Sequence, residues 1–114
     1  MAAIAASKVQ AAPPYPGAAV AAVLQEELLS AVRARFKRKG QPLPAADSEL
    51  LVLALEIDSL TVVELLASLD SILPFKVTES VVKAGGYKSI EEAVKHVVDR
   101  IATKWKKYHV GEKV

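Results

Sequence analysis

The stretch Leu55-Glu56-Ile57-Asp58-Ser59-Leu60-Thr61-Val62-Val63-Glu64-Leu65-Leu66 decides how the chain folds. Asp58 or Ser59 can cap a helix, because a side-chain oxygen there satisfies a backbone N–H that has no partner in the first turn. Thr61 and Glu64 stand at capping-box spacing. Leu65, Leu66, Leu69 and Ile72 then give one apolar face, and Pro74 forbids continuation. The pattern predicts a helix from Asp58-Ser59 to about Leu73. With that face inward, Leu60, Val63 and Ala67 lie roughly on the other side. An exposed Leu60–Val63–Ala67 strip beside Glu56, Glu64 and Asp70 has the shape and charge of a docking surface. Scattered surface apolars, which are normal, are the bland alternative.

Upstream, Val20, Leu24, Leu28, Val32 and Phe36 recur every four residues and predict a long first helix over Ala18 to Lys39. Its basic end (Arg33, Arg35, Lys37, Arg38, Lys39) suits the helix dipole, and Gly40 with Pro42 and Pro44 closes it. Residues 40–57 form a long first loop, too apolar to sit in water, with room for a helical turn at Ser48–Ala54. Downstream, Thr78 to Lys83 reads as a short helix closed by Gly85-Gly86. Ser89-Ile90-Glu91-Glu92 is a capping box that opens a final helix to Tyr108, with Ile90, Ala93, Val94, Val97, Val98 and Ile101 as its core stripe. No strand alternation is visible. Residues 1–17, ending in Pro13-Pro14-Tyr15-Pro16-Gly17, read as a flexible Ala/Pro-rich leader, 18–108 as a helical bundle and 109–114 as a flexible tail.

At 114 residues the chain suits one domain, and 52% hydrophobic with 25% charged residues supports a packed core. Aromatics are only 5%, so the core is aliphatic, which favours close-packed helices. The absence of cysteine excludes disulfides, a thiolate metal site and a side-chain thiol nucleophile. Two separated histidines, His96 and His109, do not make a metal cluster, and His96 reads as a surface residue without a role. A net charge of +2 demands neither a nucleic acid nor a membrane. No targeting signal or spanning segment is visible, so a cytoplasmic protein is expected.

The Asp58-Ser59-Leu60 motif, the Val63-Glu64-Leu65 run after it and Leu55 three residues before the aspartate resemble the acyl carrier protein family. The likeness extends to the order of elements from about Ala18 to Ile101: long helix, apolar loop, motif-bearing helix, short third helix, Ser-Ile-started fourth. The resemblance implies an all-α four-helix bundle with three long helices, one short third helix and a long first loop. It implies a carrier, not an enzyme. Ser59 is the implied attachment point of 4′-phosphopantetheine from coenzyme A, whose thiol holds acyl intermediates as thioesters in fatty-acid, polyketide or lipid-modification biosynthesis. Asp58 and Leu60 flank it for recognition by a phosphopantetheinyl transferase. Glu56, Val63, Glu64, Ala67 and Asp70 would dock acyl-transferring or acyl-activating enzymes. An interior lined by Leu28, Val32, Leu65, Leu69, Val94 and Val97 would shelter an acyl chain. The implied protein is a monomer, without nucleic-acid partner or stable membrane insertion.

The residues themselves are compatible with this. Ser59 falls in the first turn of a helix, where free N–H groups and partial positive charge tolerate a phosphodiester. An ordinary N-cap pair is the alternative, but Thr61 and Glu64 already offer capping chemistry.

Three departures from the family pattern point to a specialised member. Glu56 stands where glycine is usual, Thr61 replaces the usual acid after the motif, and the chain is basic overall. Six acids and no base lie between Gly40 and Phe75, with basic regions on both sides. The run Thr103-Lys104-Trp105-Lys106-Lys107-Tyr108-His109 reads as a solvated helix end with Trp105 packed back on the bundle, or else as a contact for a partner or anionic surface. The rival reading is a helical protein-interaction module that is never modified and uses this tail and the exposed face of the second helix.

Overall fold

The computed structural model describes residues 14–109. The leader's first thirteen residues and the tail beyond His109 lie outside the described residues. The described chain is all-α, with no strand.

Helix α1, Gly17–Arg38, buries Val20, Leu24, Leu28 and Val32. A four-residue repeat drifts slowly around a helix of 3.6 residues per turn, so the stripe stays on one side for four turns. The helix ends as the sequence requires. Gly40 has φ +67°, its N–H donates to Lys37 O at 3.0 Å, and Gln41 N–H donates to Phe36 O at 2.9 Å. That pair of bonds is a Schellman closure.

The loop after α1 carries a short helix α2, Asp47–Val52, which buries Leu50. Arg33 holds the loop: its guanidinium donates to Pro44 O at 2.9 Å, Ala45 O at 3.2 Å and Asp47 Oδ1 at 2.8 Å.

Helix α3, Ser59–Leu65, tightens into a 3₁₀ turn over Leu66–Leu69. It is shorter than the span to Leu73 expected from the sequence. Leu73 precedes Pro74, whose ring disfavours helical backbone before it, and helices commonly end in 3₁₀ geometry. Two helices are therefore long, not three. The inward face also differs in register. Val62, Leu66, Leu69 and Leu73 are buried, while Leu65 and Ile72 are half-buried against the core. The expected third helix is a single 3₁₀ turn, Glu79–Val81, which buries Val81. Thr78 caps it, and Val82, already in extended backbone, ends it.

Helix α4, Ile90–His109, buries Ile90, Ala93, Val97, Ile101 and Trp105. Its cap forms as read: Glu92 N–H donates to Ser89 Oγ at 3.1 Å, and Glu92 Oε1 accepts from the Lys88 N–H at 2.8 Å. That bond, with the Lys83 ammonium nearby, holds the Glu92 carboxyl below its ordinary range. The α1–α4 pair is the main helix interface. Leu28, Val32, Leu69 and Val97 sit in one core as expected; Leu65 and Val94 are only partly buried beside it. Trp105 packs back on the bundle, 9% exposed. It lies against Tyr15 and Phe75, with ring centroids 5.7 and 6.4 Å away. Tyr15, read as part of the leader, is thus seated on the core, and its hydroxyl donates to Val98 O at 2.9 Å. Among the described residues no helix is long and apolar enough to cross a membrane.

Candidate functional site

Ser59 is the first residue of α3, and three restraints fix the turn that presents it. The first is a backbone bridge. Ile57 N–H donates to Tyr87 O at 2.9 Å, Tyr87 N–H donates to Ile57 O at 2.8 Å, and Leu55 N–H donates to Lys88 O at 3.0 Å. The second is Gly86, with φ +82°, which lies so close to this bridge that a Cβ there would overlap Ile57 O. The third is Arg35 of α1, whose guanidinium donates to Glu56 O at 3.0 Å. Residues far apart in sequence therefore meet at the backbone just ahead of Ser59.

The cap of α3 is Asp58. Its Oδ1 accepts from Thr61 N–H at 2.8 Å. A hydrogen bond from the Thr61 side chain, then the one from its backbone, hold the Asp58 carboxyl below the usual carboxylate range, with Arg35 adding a favourable charge. Of the alternatives the sequence left open, Asp58 is the cap and Thr61 supplies donors to it. The Glu64 side chain takes no part, so the expected box with Thr61 does not form. The Ser59 hydroxyl is left without a hydrogen bond among the described residues. Ser59 is half-buried and Leu60 beside it is 63% exposed.

A groove of about 280 Å³ opens at Ser59 between α3 and the 79–84 segment. Leu60, Val63, Val82 and Ala84 make it mainly aliphatic, and Glu79 adds an acid. Van der Waals contact along such walls, with one polar side chain, suits an extended amphipathic chain.

The other residues singled out in the sequence do not form one patch. Glu64 is exposed on α3 and Ala67 on the 3₁₀ turn that follows it, and Val63 is half-buried in the groove wall. Glu64 faces a depression toward α1 shared with Arg35 and Arg38. Glu56 lies in a separate polar cleft with Arg35, Lys39 and Lys88. Asp70 is exposed but engaged by Lys76 at 3.4 Å. The acidic segment is thus interleaved in space with cations from α1.

Sequence reasoning missed Arg35, Gly86 and the pair Tyr87–His96. Tyr87 is buried, and its hydroxyl lies 2.7 Å from His96 Nδ1 while accepting from the Lys83 N–H at 2.8 Å. The hydroxyl thus joins the Lys83 backbone to the His96 ring, with the direction of the ring bond set by the imidazole tautomer. His96 is therefore half-buried and partnered, not a surface residue. The available signal was Tyr87 itself, since a buried tyrosine needs a partner for its hydroxyl. Compared with protein-family models, curated proteins and solved structures, the chain matches none, so its reading rests on its own residues and their geometry.

Proposed function

We propose that this chain is an acyl carrier: a cytoplasmic helical bundle of the four-helix carrier type, modified on Ser59 with 4′-phosphopantetheine, which shuttles acyl intermediates between enzymes and catalyses no step itself. The observation that carries the proposal is the state of Ser59. Its neighbour Asp58 does the capping, so the serine hydroxyl is spared for another use, at the lip of a groove built for a chain. A serine needed only to cap would have its oxygen on an amide of the first turn.

The residues fit the implied group. Ser59 would bear the phosphodiester, and Leu60, Val63, Val82 and Ala84 would lie along the pantetheine chain. Bound, the arm supplies the thiol that this cysteine-free sequence lacks. The chain's own part is to hold Ser59 on a fixed turn and to offer Asp58 and Leu60 to a phosphopantetheinyl transferase. The exposed side running from Leu60 on α3 to Ala67 on the 3₁₀ turn, with Glu64, is the contact for acyl-transferring or acyl-activating enzymes in fatty-acid, polyketide or lipid-modification biosynthesis. The cations of α1 beside that face support a dedicated partner over enzymes that recognise uniformly acidic carriers.

The test is intact mass after incubation with coenzyme A and a promiscuous phosphopantetheinyl transferase. One added phosphopantetheine is expected on the wild type and none on Ser59→Ala, which should stay folded because its hydroxyl holds nothing. An unmodified wild type, or a modified Ser59→Ala, overturns the proposal.

A further inference from the structure

The Glu79–Val81 turn is a wall with two sides. Glu79 faces the Ser59 groove. Ser80 and Val81 face a second cleft of about 290 Å³, closed by Arg100, Thr103, Lys104 and Lys107 of α4. The turn thus sorts its chemistry, with the acid on one side and the hydroxyl on the other.

The second cleft is cationic. Arg100, Lys104 and Lys107 are spaced four and three residues apart, which puts them on one face of α4. Among the described residues no acidic side chain lines the cleft. Among the described residues Lys104 and Lys107 have no ion-pair partner, whereas Lys76 and Lys83 do. Asp99, next to Arg100 in sequence, forms no ion pair with these cations among the described residues. Like charges at these spacings repel each other, so the helix carries an uncompensated cost on this face. Arg100 donates to Ser80 O at 3.2 Å. That bond anchors the guanidinium at the rim and leaves most of its N–H donors unspent.

We propose that this cleft is a binding site for a phosphorylated ligand, with a multiply charged phosphoryl group held among Arg100, Lys104 and Lys107. Three clustered cations exceed what a single carboxylate neutralises. A phosphomonoester or diphosphate matches them in charge and offers acceptors to both guanidinium and ammonium groups. Two sources share that chemistry: the headgroup of an anionic phospholipid and a free phosphorylated metabolite. Tyr108, 44% exposed beside Lys107, suits the first, since tyrosine sits well at a lipid–water boundary. The site stands apart from the Ser59 reading, although a ligand touching Ser80 would also brace the wall of the Ser59 groove.

The test uses the full chain at low ionic strength, because screening acts over about 8–10 Å at physiological salt. Inorganic pyrophosphate is titrated while backbone amide signals are followed by NMR. In parallel, the protein is pelleted with vesicles of phosphatidylcholine, with and without phosphatidylglycerol. Saturable shifts are expected at Ser80, Val81 and Thr103. Lys104→Gln with Lys107→Gln should weaken binding about tenfold or more, as loss of charge-assisted bonds requires. Lys37→Gln with Lys39→Gln removes the same charge from the end of α1 and should leave affinity unchanged; Lys104→Arg with Lys107→Arg should retain binding. Pelleting on phosphatidylglycerol that pyrophosphate competes away assigns the headgroup, and saturation without pelleting assigns a free metabolite. The proposal is overturned if neither probe binds, if the α1 pair matters as much as the α4 pair, or if only a polyglutamate peptide occupies the cleft, which would make the partner an acidic protein.

Discussion

Gly86→Ala is the substitution that most directly probes how Ser59 is held. Gly85 and Gly86 both have positive φ, +93° and +82°. A side chain in such backbone costs about 1–2 kcal/mol. The two sites differ in what a Cβ meets. At Gly85 nothing lies within 4 Å, so Gly85→Ala should cost only the backbone term. At Gly86 the new atom would overlap Ile57 O and approach Asp58 Cα to 3.0 Å. Backbone, not a flexible side chain, stands in the way, so the Ile57–Tyr87 bridge must open. Its two hydrogen bonds are worth about 0.5–1.5 kcal/mol each. Gly86→Ala should therefore destabilise by about 2–5 kcal/mol, against about 1–2 kcal/mol for Gly85→Ala. Urea unfolding followed by circular dichroism measures both. Transferase loading of Ser59, measured in the absence of urea, should slow in Gly86→Ala and not in Gly85→Ala. Equal stability losses in the two variants would refute the close approach, and with it the argument that this bridge fixes the Ser59 turn.

Leu69→Ala should destabilise by about 2–5 kcal/mol, because Leu69 is fully buried, whereas Val63→Ala in the groove wall should cost far less; thermal melts separate the two. Asp58→Ala should lose about 0.5–2 kcal/mol as a cap. Because the folded carboxyl titrates below its unfolded value of about 3.9, its contribution is present above that pH and disappears as pH falls through the lower folded value; Asp58→Asn should keep the cap and lose that acid-side dependence in stability-versus-pH curves. Tyr15 is pushed up to about 12 by burial, with Asp99 adding to the shift. An ultraviolet pH titration should show a late-ionising phenol signal that is lost in Tyr15→Phe, and stability should fall as pH climbs from about 10 toward that value.

The long helices were legible because periodicity and end chemistry agreed. Gly40 and the Ser89–Glu92 box gave both boundaries of their helices within a residue or two, and Val20 through Val32 named the buried stripe. The motif-bearing helix was legible at its start and not at its end. Leu69 is buried whichever register is chosen, but the choice between Leu65 and Val62 depends on what packs opposite, and four apolar residues in the five from Val62 to Leu66 satisfy both. The turn before Ser59 was least visible. Arg35, Gly86 and Tyr87 act there through main-chain atoms, and a carbonyl that accepts a bond leaves no mark on residue type. The interleaving of acids and cations was hidden for the same reason, since α1 meets α3 only through the tertiary fold.

The brevity of α3 has a consequence for motion. Seven α-helical residues are too few to hold a helix in water by their own hydrogen bonds, because nucleation is unfavourable and isolated helices need about 12–15 residues to become even marginal. Its order is borrowed from Val62 and Leu66 in the core and from the Ile57–Tyr87 bridge at its start. The turn bearing Ser59 thus depends on few contacts of its own, and it should open at a lower free energy than α1 or α4. Local openings of this kind have free energies well below that of global unfolding and occur far more often. The shortness of α3 thus makes the order of the Ser59 turn a property of its neighbours, so that loss of the Ile57–Tyr87 bridge should loosen it before α1 or α4.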